Sequence, residues 1–223
     1  MTFQSVMTGL GETLLMTLCS TLLAYLVGLP LGIILQITSK NGIAKNKVLN
    51  TILGFIVNIL RSVPCLILII ILVPFTRLVF GRATGEWYVL IIPLFVASFA
   101  FIARVVETSL NEVNTGVIEV AKSLGASKFQ IITKVLLKEA TPSLISGLAV
   151  TTIAILGYTS FAFDFSAGGL IAQAYAVYTQ GPYNFHEKPD IYIIILVIVL
   201  LVQVIQEGIL LISRKIDKRR KIK

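Results

Sequence analysis

The chain has 223 residues, of which 56% are hydrophobic and only 13% charged, and it carries a formal net charge of +8. Its mean hydropathy is +0.91, while a soluble domain carries about 25% charged residues; too little polar surface exists to cover the apolar bulk, so the solvent must largely be lipid. The positive charge lies in short stretches that flank apolar runs, which speaks against a nucleic-acid-binding face and makes the basic residues reporters of orientation.

No Lys or Arg precedes Lys40. A cleaved signal peptide needs a basic n-region and a short apolar core, so the first apolar run is expected to be retained. That run, 14–37, has 24 residues without a charge, about 36 Å of helix and enough for a slightly tilted crossing. It contains Gly28-Leu29-Pro30-Leu31-Gly32, a GxxxG with a proline inside, which predicts a kinked helix in close contact with a neighbour. The second run, 48–80, is interrupted by Arg61, Pro64 and Pro74 and reads as one long broken helix or as two short ones. The third, 87–106, opens on Trp87-Tyr88, an aromatic pair suited to a membrane interface. The fourth, 144–163, is rich in Ser, Thr and Gly, as helices packed against other helices in lipid are. The fifth, 191–212, is broken only by Gln203, Gln206, Glu207 and Gly208 and leads into a basic tail from Arg214 to Lys221.

The Lys/Arg distribution sets the topology. With five crossings, the N-terminus outside and the C-terminus cytoplasmic, fifteen basic residues fall inside and three outside (Arg77, Arg82 and Lys188), with Arg61 inside the membrane. Were the second run to cross twice, the split would weaken to thirteen against six. The expected fold is therefore an all-α integral membrane protein, a single domain over 1–223 with five transmembrane helices.

Between the third and fourth runs, 107–142 is too polar to cross and too patterned for a linker. Val117, Ala121 and Leu124 share one helical face, with Glu119 and Lys122 off it. Gly125 stands where a helix ends in a left-handed residue. Ser127 and Gln130 form an S-x-x-Q capping box, predicted to open a second amphipathic helix through Leu137. By itself the pattern fits either a bent element protruding into the cytoplasm or an amphipathic hairpin lying on the membrane.

The same stretch, Glu119-Val120-Ala121-Lys122-Ser123-Leu124-Gly125 followed by Val135 and Leu137, resembles the EAA loop of ABC importer permeases, E-A-A-x₃-G-x₉-I-x-L-P. Glu119, Ala121, Gly125 and Leu137 match; Val120, Val135 and Lys138 depart. From Gly9 to about Gln173 the chain is similar to the methionine-importer branch of that family, through Glu12-Thr13, Gly28 to Gly32, Arg61-Ser62-Val63-Pro64, Phe101 to Glu107, Gly157-Tyr158 and Gly168-Gly169-Leu170. The resemblance implies a permease homodimer with the path at its interface, a cytoplasmic ABC ATPase dimer and an extracellular substrate-binding protein. Glu119, Ala121, Gly125 and Leu137 would then belong to a coupling helix docked on the ATPase. ATP and Mg would be bound by that partner, since Gly125-Ala126-Ser127-Lys128 is far too short for a phosphate loop.

The path residues stay open between two roles. Arg61, at about 2.5–3.5 kcal/mol for a charge at the bilayer centre, is with Asn58 and Ser62 either part of a gate or a structural arginine near the Pro64 break. Tyr158, Thr159 and Ser160 either line the path or bond neighbouring helices. Phe161-Ala162-Phe163-Asp164-Phe165-Ser166 departs from the small, glycine-rich family pattern, and Asp164 either meets a cationic group of the cargo or ends a helix. No nucleophile–base pair suggests an enzyme. Cys19 and Cys65 lie in apolar runs and His186 is the single histidine, so no metal site is expected. A different cargo for the same machine, an ATP-independent secondary transporter, or a subunit with no path of its own are the competing readings.

Overall fold

The computed structural model describes residues 3–179 and 189–217, and helices are the only regular elements among them. Helix α1 spans Phe3–Thr38 and runs unbroken through Pro30. It begins well before the predicted residue 14, because the polar stretch around Glu12 and Thr13 finds hydrogen-bond partners instead of ending the helix. The second run forms two helices, α2 (Lys47–Ser62) and α3 (Cys65–Phe80), separated at Val63-Pro64. Proline has no N–H to continue the ladder, and it disfavours helical backbone in the residue before it. A 3₁₀ turn, Trp87–Leu90, leads into α4 (Ile91–Asn111), followed by α5 (Thr115–Ser123).

After α5 the structure departs from the expected pair of short helices. A single turn, α6 (Lys128–Gln130), passes into a π-helical stretch, Ile131–Leu136, and then directly into α7 (Leu137–Tyr158). The predicted second amphipathic helix does not stop at Leu137. It is the start of the fourth membrane helix, which therefore begins far ahead of residue 144. A 3₁₀ turn (Thr159–Ala162), α8 (Gly169–Thr179) and α9 (Pro189–Ile216) complete the order. Among the described residues, four segments are long and apolar enough to cross a membrane alone, and α2 with α3 supplies a fifth when the pair is counted as one broken span. The expected positions of His186, Lys188 and the tail beyond Asp217 lie outside the described residues.

Two compact units divide the chain. One comprises Met1–Ala24, Val63–Ser98 and Thr152–Gln206; the other comprises Tyr25–Ser62, Phe99–Thr151 and Glu207–Lys223. In the first, Met16, Ile69, Leu90, Leu94 and Ala162 form a buried core against which Trp87 and Tyr88 pack. In the second, Leu35, Val57, Ala100 and Ala103 are buried together. There the GxxxG of α1 lies directly on α4: a Cβ built at Gly28 would stand 2.8 Å from the Phe99 carbonyl oxygen, and one at Gly32 2.5 Å from that of Ala103. Only glycine permits this backbone approach. Asn50 of α2 ties the same unit together, its Nδ2 donating to the Leu35 carbonyl at 2.7 Å and to Thr38 Oγ1 at 3.1 Å.

Candidate functional site

The glycine turn between α5 and α6 forms as its residues require. Asn114 caps α5, its Oδ1 accepting from the Gly116 N–H at 2.8 Å. At the other end Gly125 has φ +79°. The Gly125 N–H donates to the Lys122 carbonyl at 2.9 Å and the Ala126 N–H to that of Ala121 at 3.0 Å, the paired bonds of a Schellman ending. Two residues on, Ser127 and Gln130 complete the capping box: the Ser127 N–H donates to Gln130 Oε1 at 2.8 Å and the Gln130 N–H to Ser127 Oγ at 3.3 Å. The bend is thus fixed by four local hydrogen bonds.

This element presents apolar side chains to the outside. Val117, Val120, Leu124 and Phe129 are 41%, 61%, 82% and 73% exposed, while Ile118, Ile131 and Leu136 are buried. An isolated exposed leucine needs no explanation, but four large apolar groups on one bent element form an exposed apolar surface beyond the ordinary scatter of single side chains. Among the motif residues, Glu119 and Gly125 are exposed and Ala121 and Leu137 half-buried. Val120 and Phe129 were missed in the sequence. The spacing of Val117, Val120 and Leu124, at i, i+3 and i+7, is the signal that would have found Val120.

Arg104 of α4 anchors a second feature in the same unit. Its Nη1 donates to Glu107 Oε2 at 2.6 Å, and its Nη2 to the Gly54 carbonyl at 3.0 Å and to Asn58 Oδ1 at 2.8 Å. Asn58 therefore serves as an acceptor that joins α2 to α4. Ser62 donates back to the Asn58 carbonyl at 2.7 Å, inside its own helix. Of the three residues grouped at this point, Arg61 alone lines the adjoining cavity of about 430 Å³, with Phe101, Val105, Thr108, Gly147 and Val150 among the other walls. A further cavity of about 430 Å³ shares Ser109, Glu112, Ser143 and Ser146 with the first and adds Glu139, Arg214 and Asp217.

Hydroxyl groups join α7 to α4 and α9 along these cavities. Ser143 Oγ donates to Ser109 Oγ at 3.2 Å, and Ser146 Oγ and Ser213 Oγ lie 3.0 Å apart. Both hydroxyls also lie within reach of the Pro142 carbonyl, at 3.0 Å from Ser146 and 2.7 Å from Ser213, so that the single proton of each chooses between that carbonyl and the other serine.

The remaining sequence-marked residues belong to the other unit. Tyr158 packs on its apolar core. Thr159 is buried and donates to the Leu156 carbonyl at 2.6 Å, a bond within the helix end. Ser160 is half-buried and Asp164 exposed. Phe161, Phe163 and Phe165 are used in packing, with the Phe163 and Tyr175 ring centres 3.9 Å apart and their planes tilted by 44°.

Two motifs far apart in sequence meet in this unit. Glu12 Oε2 accepts from the Gly169 N–H at 2.7 Å and Thr13 Oγ1 from the Leu170 N–H at 2.9 Å. The carboxylate that caps α8 is therefore Glu12 of α1, set on the positive end of the helix dipole. Glu12→Ala is expected to destabilise the protein by about 0.5–2 kcal/mol, read as a lowered unfolding temperature in detergent, while Glu12→Gln keeps an acceptor and recovers most of the loss.

A family model described as "Binding-protein-dependent transport system inner membrane component" matches residues 28–218. The chain is 37% identical over 217 residues to the probable D-methionine transport system permease protein MetI of Vibrio cholerae, covering 96% of this chain and 93% of that one. To the protein of the same name in Pasteurella multocida it is 45% identical over 159 residues, covering 71% and 73% of the two chains. A chain of a solved structure described as inward facing conformations of the MetNI methionine ABC transporter superimposes with a TM-score of 0.90 at 36% identity, covering 97% of this chain and 98% of that one.

Proposed function

Since the chain belongs to the family of binding-protein-dependent transport system inner membrane components, we propose that it is the permease subunit of an ATP-driven methionine importer. The observation that carries this reading is the likeness to methionine permeases, which runs almost end to end. It is a multi-pass membrane protein and a transport subunit rather than a catalyst.

Two copies form one translocation path, and the chemistry of ATP, with its Mg, resides on a separate cytoplasmic ATPase dimer. The element Thr115–Gln130, rigid at Gly125 and apolar at Val117, Val120, Leu124 and Phe129, is the part that docks on that ATPase. Its exposed surface and four-bond turn suit the transmission of rigid-body motion, and Glu119, Ala121, Gly125 and Leu137 are its motif residues. Closure of the ATPase then moves the permease between inward-open and outward-open states, and an extracellular binding protein supplies the cargo. The N-terminus lies outside and the C-terminus in the cytoplasm, a reading supported by the uneven distribution of Lys and Arg.

Vesicles holding this chain with its co-expressed ATPase and binding protein are expected to accumulate labelled methionine only when ATP is supplied inside, and unlabelled methionine is expected to compete. ATP-driven uptake blocked by a different amino acid would keep the machine and change the cargo. Uptake that ignores ATP and collapses with a proton uncoupler would overturn the proposal in favour of a secondary transporter.

A further inference from the structure

We infer that Arg61 is a subsite for the carboxylate of the cargo, an inference that rests on the amino-acid importer reading above. Two arginines line the α2–α4 cavity, and they differ in what they hold. Arg104 is saturated: Glu107 neutralises it, and Gly54 and Asn58 take its second nitrogen. Arg61 has no carboxylate partner among the described residues. It lies over the Phe101 ring, whose centre is 5.9 Å from the guanidinium carbon. Asn58, one turn earlier on α2, is turned to Arg104, from which its Oδ1 accepts.

A guanidinium over an aromatic ring is weakly held by the ring's quadrupole, but none of its five N–H donors is used by such a contact. Arg61 also closes the last turn of α2, where the helix dipole favours a cation. Neither effect satisfies the donors. Arg61 falls in the middle of the broken span, and ionisable residues at such depth face an interior or a water-filled cavity and mark a substrate pathway. Here the cavity is present, at about 430 Å³, within the range of about 300–1,000 Å³ typical of small-molecule sites.

The walls select the ligand class. A planar fork of donors matches a carboxylate through two parallel hydrogen bonds. Beside it Phe101, Val105 and Val150 give an apolar wall, Thr108 supplies a hydroxyl, and the cavity also carries the carboxylate of Glu112, which suits the ammonium end of an amino acid. Such a lining takes an amino acid whose carboxylate sits on Arg61 and whose uncharged side chain lies along the valines.

The test uses the arginine reagent phenylglyoxal on the assembled permease–ATPase complex in lipid, with modification of Arg61 read by peptide mass spectrometry. Millimolar methionine is expected to slow modification of Arg61 several-fold, and methioninol, which lacks the carboxylate, is expected to leave the rate unchanged. Arg82, an exposed arginine outside this cavity, serves as the internal reference. In reconstituted uptake, Arg61→Gln is expected to lose about tenfold or more, the loss associated with one charged hydrogen-bond partner, and Arg61→Lys to recover part of it.

Equal protection by methionine and methioninol, or no protection by any amino acid, would overturn the subsite. So would uptake by Arg61→Gln that matches the unmodified chain. Protection by a different carboxylate-bearing amino acid, with methionine inert, would support the subsite while refuting methionine as the cargo.

Discussion

Gly125→Val is expected to abolish co-purification of the ATPase subunit and ATP-driven uptake, with the chain still inserted in the membrane at normal yield. At φ +79° a β-branched side chain is placed where its Cβ and methyls collide with the local backbone, at a strain of about 1–3 kcal/mol. The turn escapes that strain by opening, since the residue is exposed and no neighbour lies within 4 Å of the site of its Cβ. An opened turn loses the two bonds from Gly125 and Ala126 to the carbonyls of Lys122 and Ala121, and the exposed apolar groups on either side no longer hold one shape. Gly125→Asn is the discriminating companion. Asparagine tolerates the left-handed region, so this variant should keep ATPase binding and most of the uptake. If valine and asparagine behave alike, the conformation of residue 125 is not what docking depends on.

Gly32→Leu should act on the membrane-embedded body instead. Its Cβ would fall 2.5 Å from the Ala103 carbonyl oxygen and 2.6 Å from Val106 Cβ, so α1 must move off α4. Overpacking of this kind costs about 1–3 kcal/mol and occasionally more, and backbone contact puts this site at the upper end. The check is the monodisperse fraction surviving a heat step in detergent, which is expected to fall sharply. Gly11→Leu, on the same helix, is the control: nothing stands within 4 Å of its Cβ, and replacing a mid-helix glycine improves helix propensity by about 0.5–1 kcal/mol. A Gly32→Leu protein as robust as Gly11→Leu would mean that the close approach is dispensable.

Features governed by neighbours in sequence were legible before any fold was known. Gly125, the Ser127–Gln130 box and the small residues at 28 and 32 each state a local or one-face requirement, and each is met. Helix ends were not legible in the same way. Hydropathy marks the stretch that needs lipid, but a helix continues past it wherever its polar groups find partners. That is why α1 reaches back to Phe3 and why the fourth membrane helix runs continuously from Lys128.

Side-chain roles that depend on distant segments were the least readable. Arg104 stood only within the matching stretch Phe101 to Glu107 until the fold brought Gly54 and Asn58 to it, from 50 and 46 residues away in sequence. Glu12 and Gly169 were both marked, but nothing in their spacing joined them. Thr159 was a lining candidate until its hydroxyl turned back on its own helix.

The serine contacts along α7 have a consequence for motion. In lipid the hydrophobic effect does not press helices together, so hydroxyl bonds and close packing must do so. Yet Ser146 has a second acceptor in reserve, since it already reaches the carbonyl of Pro142 one turn back on its own helix, and serine in a helix generally has that option. A seam of leucines resists sliding through interlocked shape, and a buried ion pair resists it through stranded charge. A serine seam whose hydroxyls can turn back on their own helix can part and reclose without stranding a donor, which makes it a low-friction contact between helices.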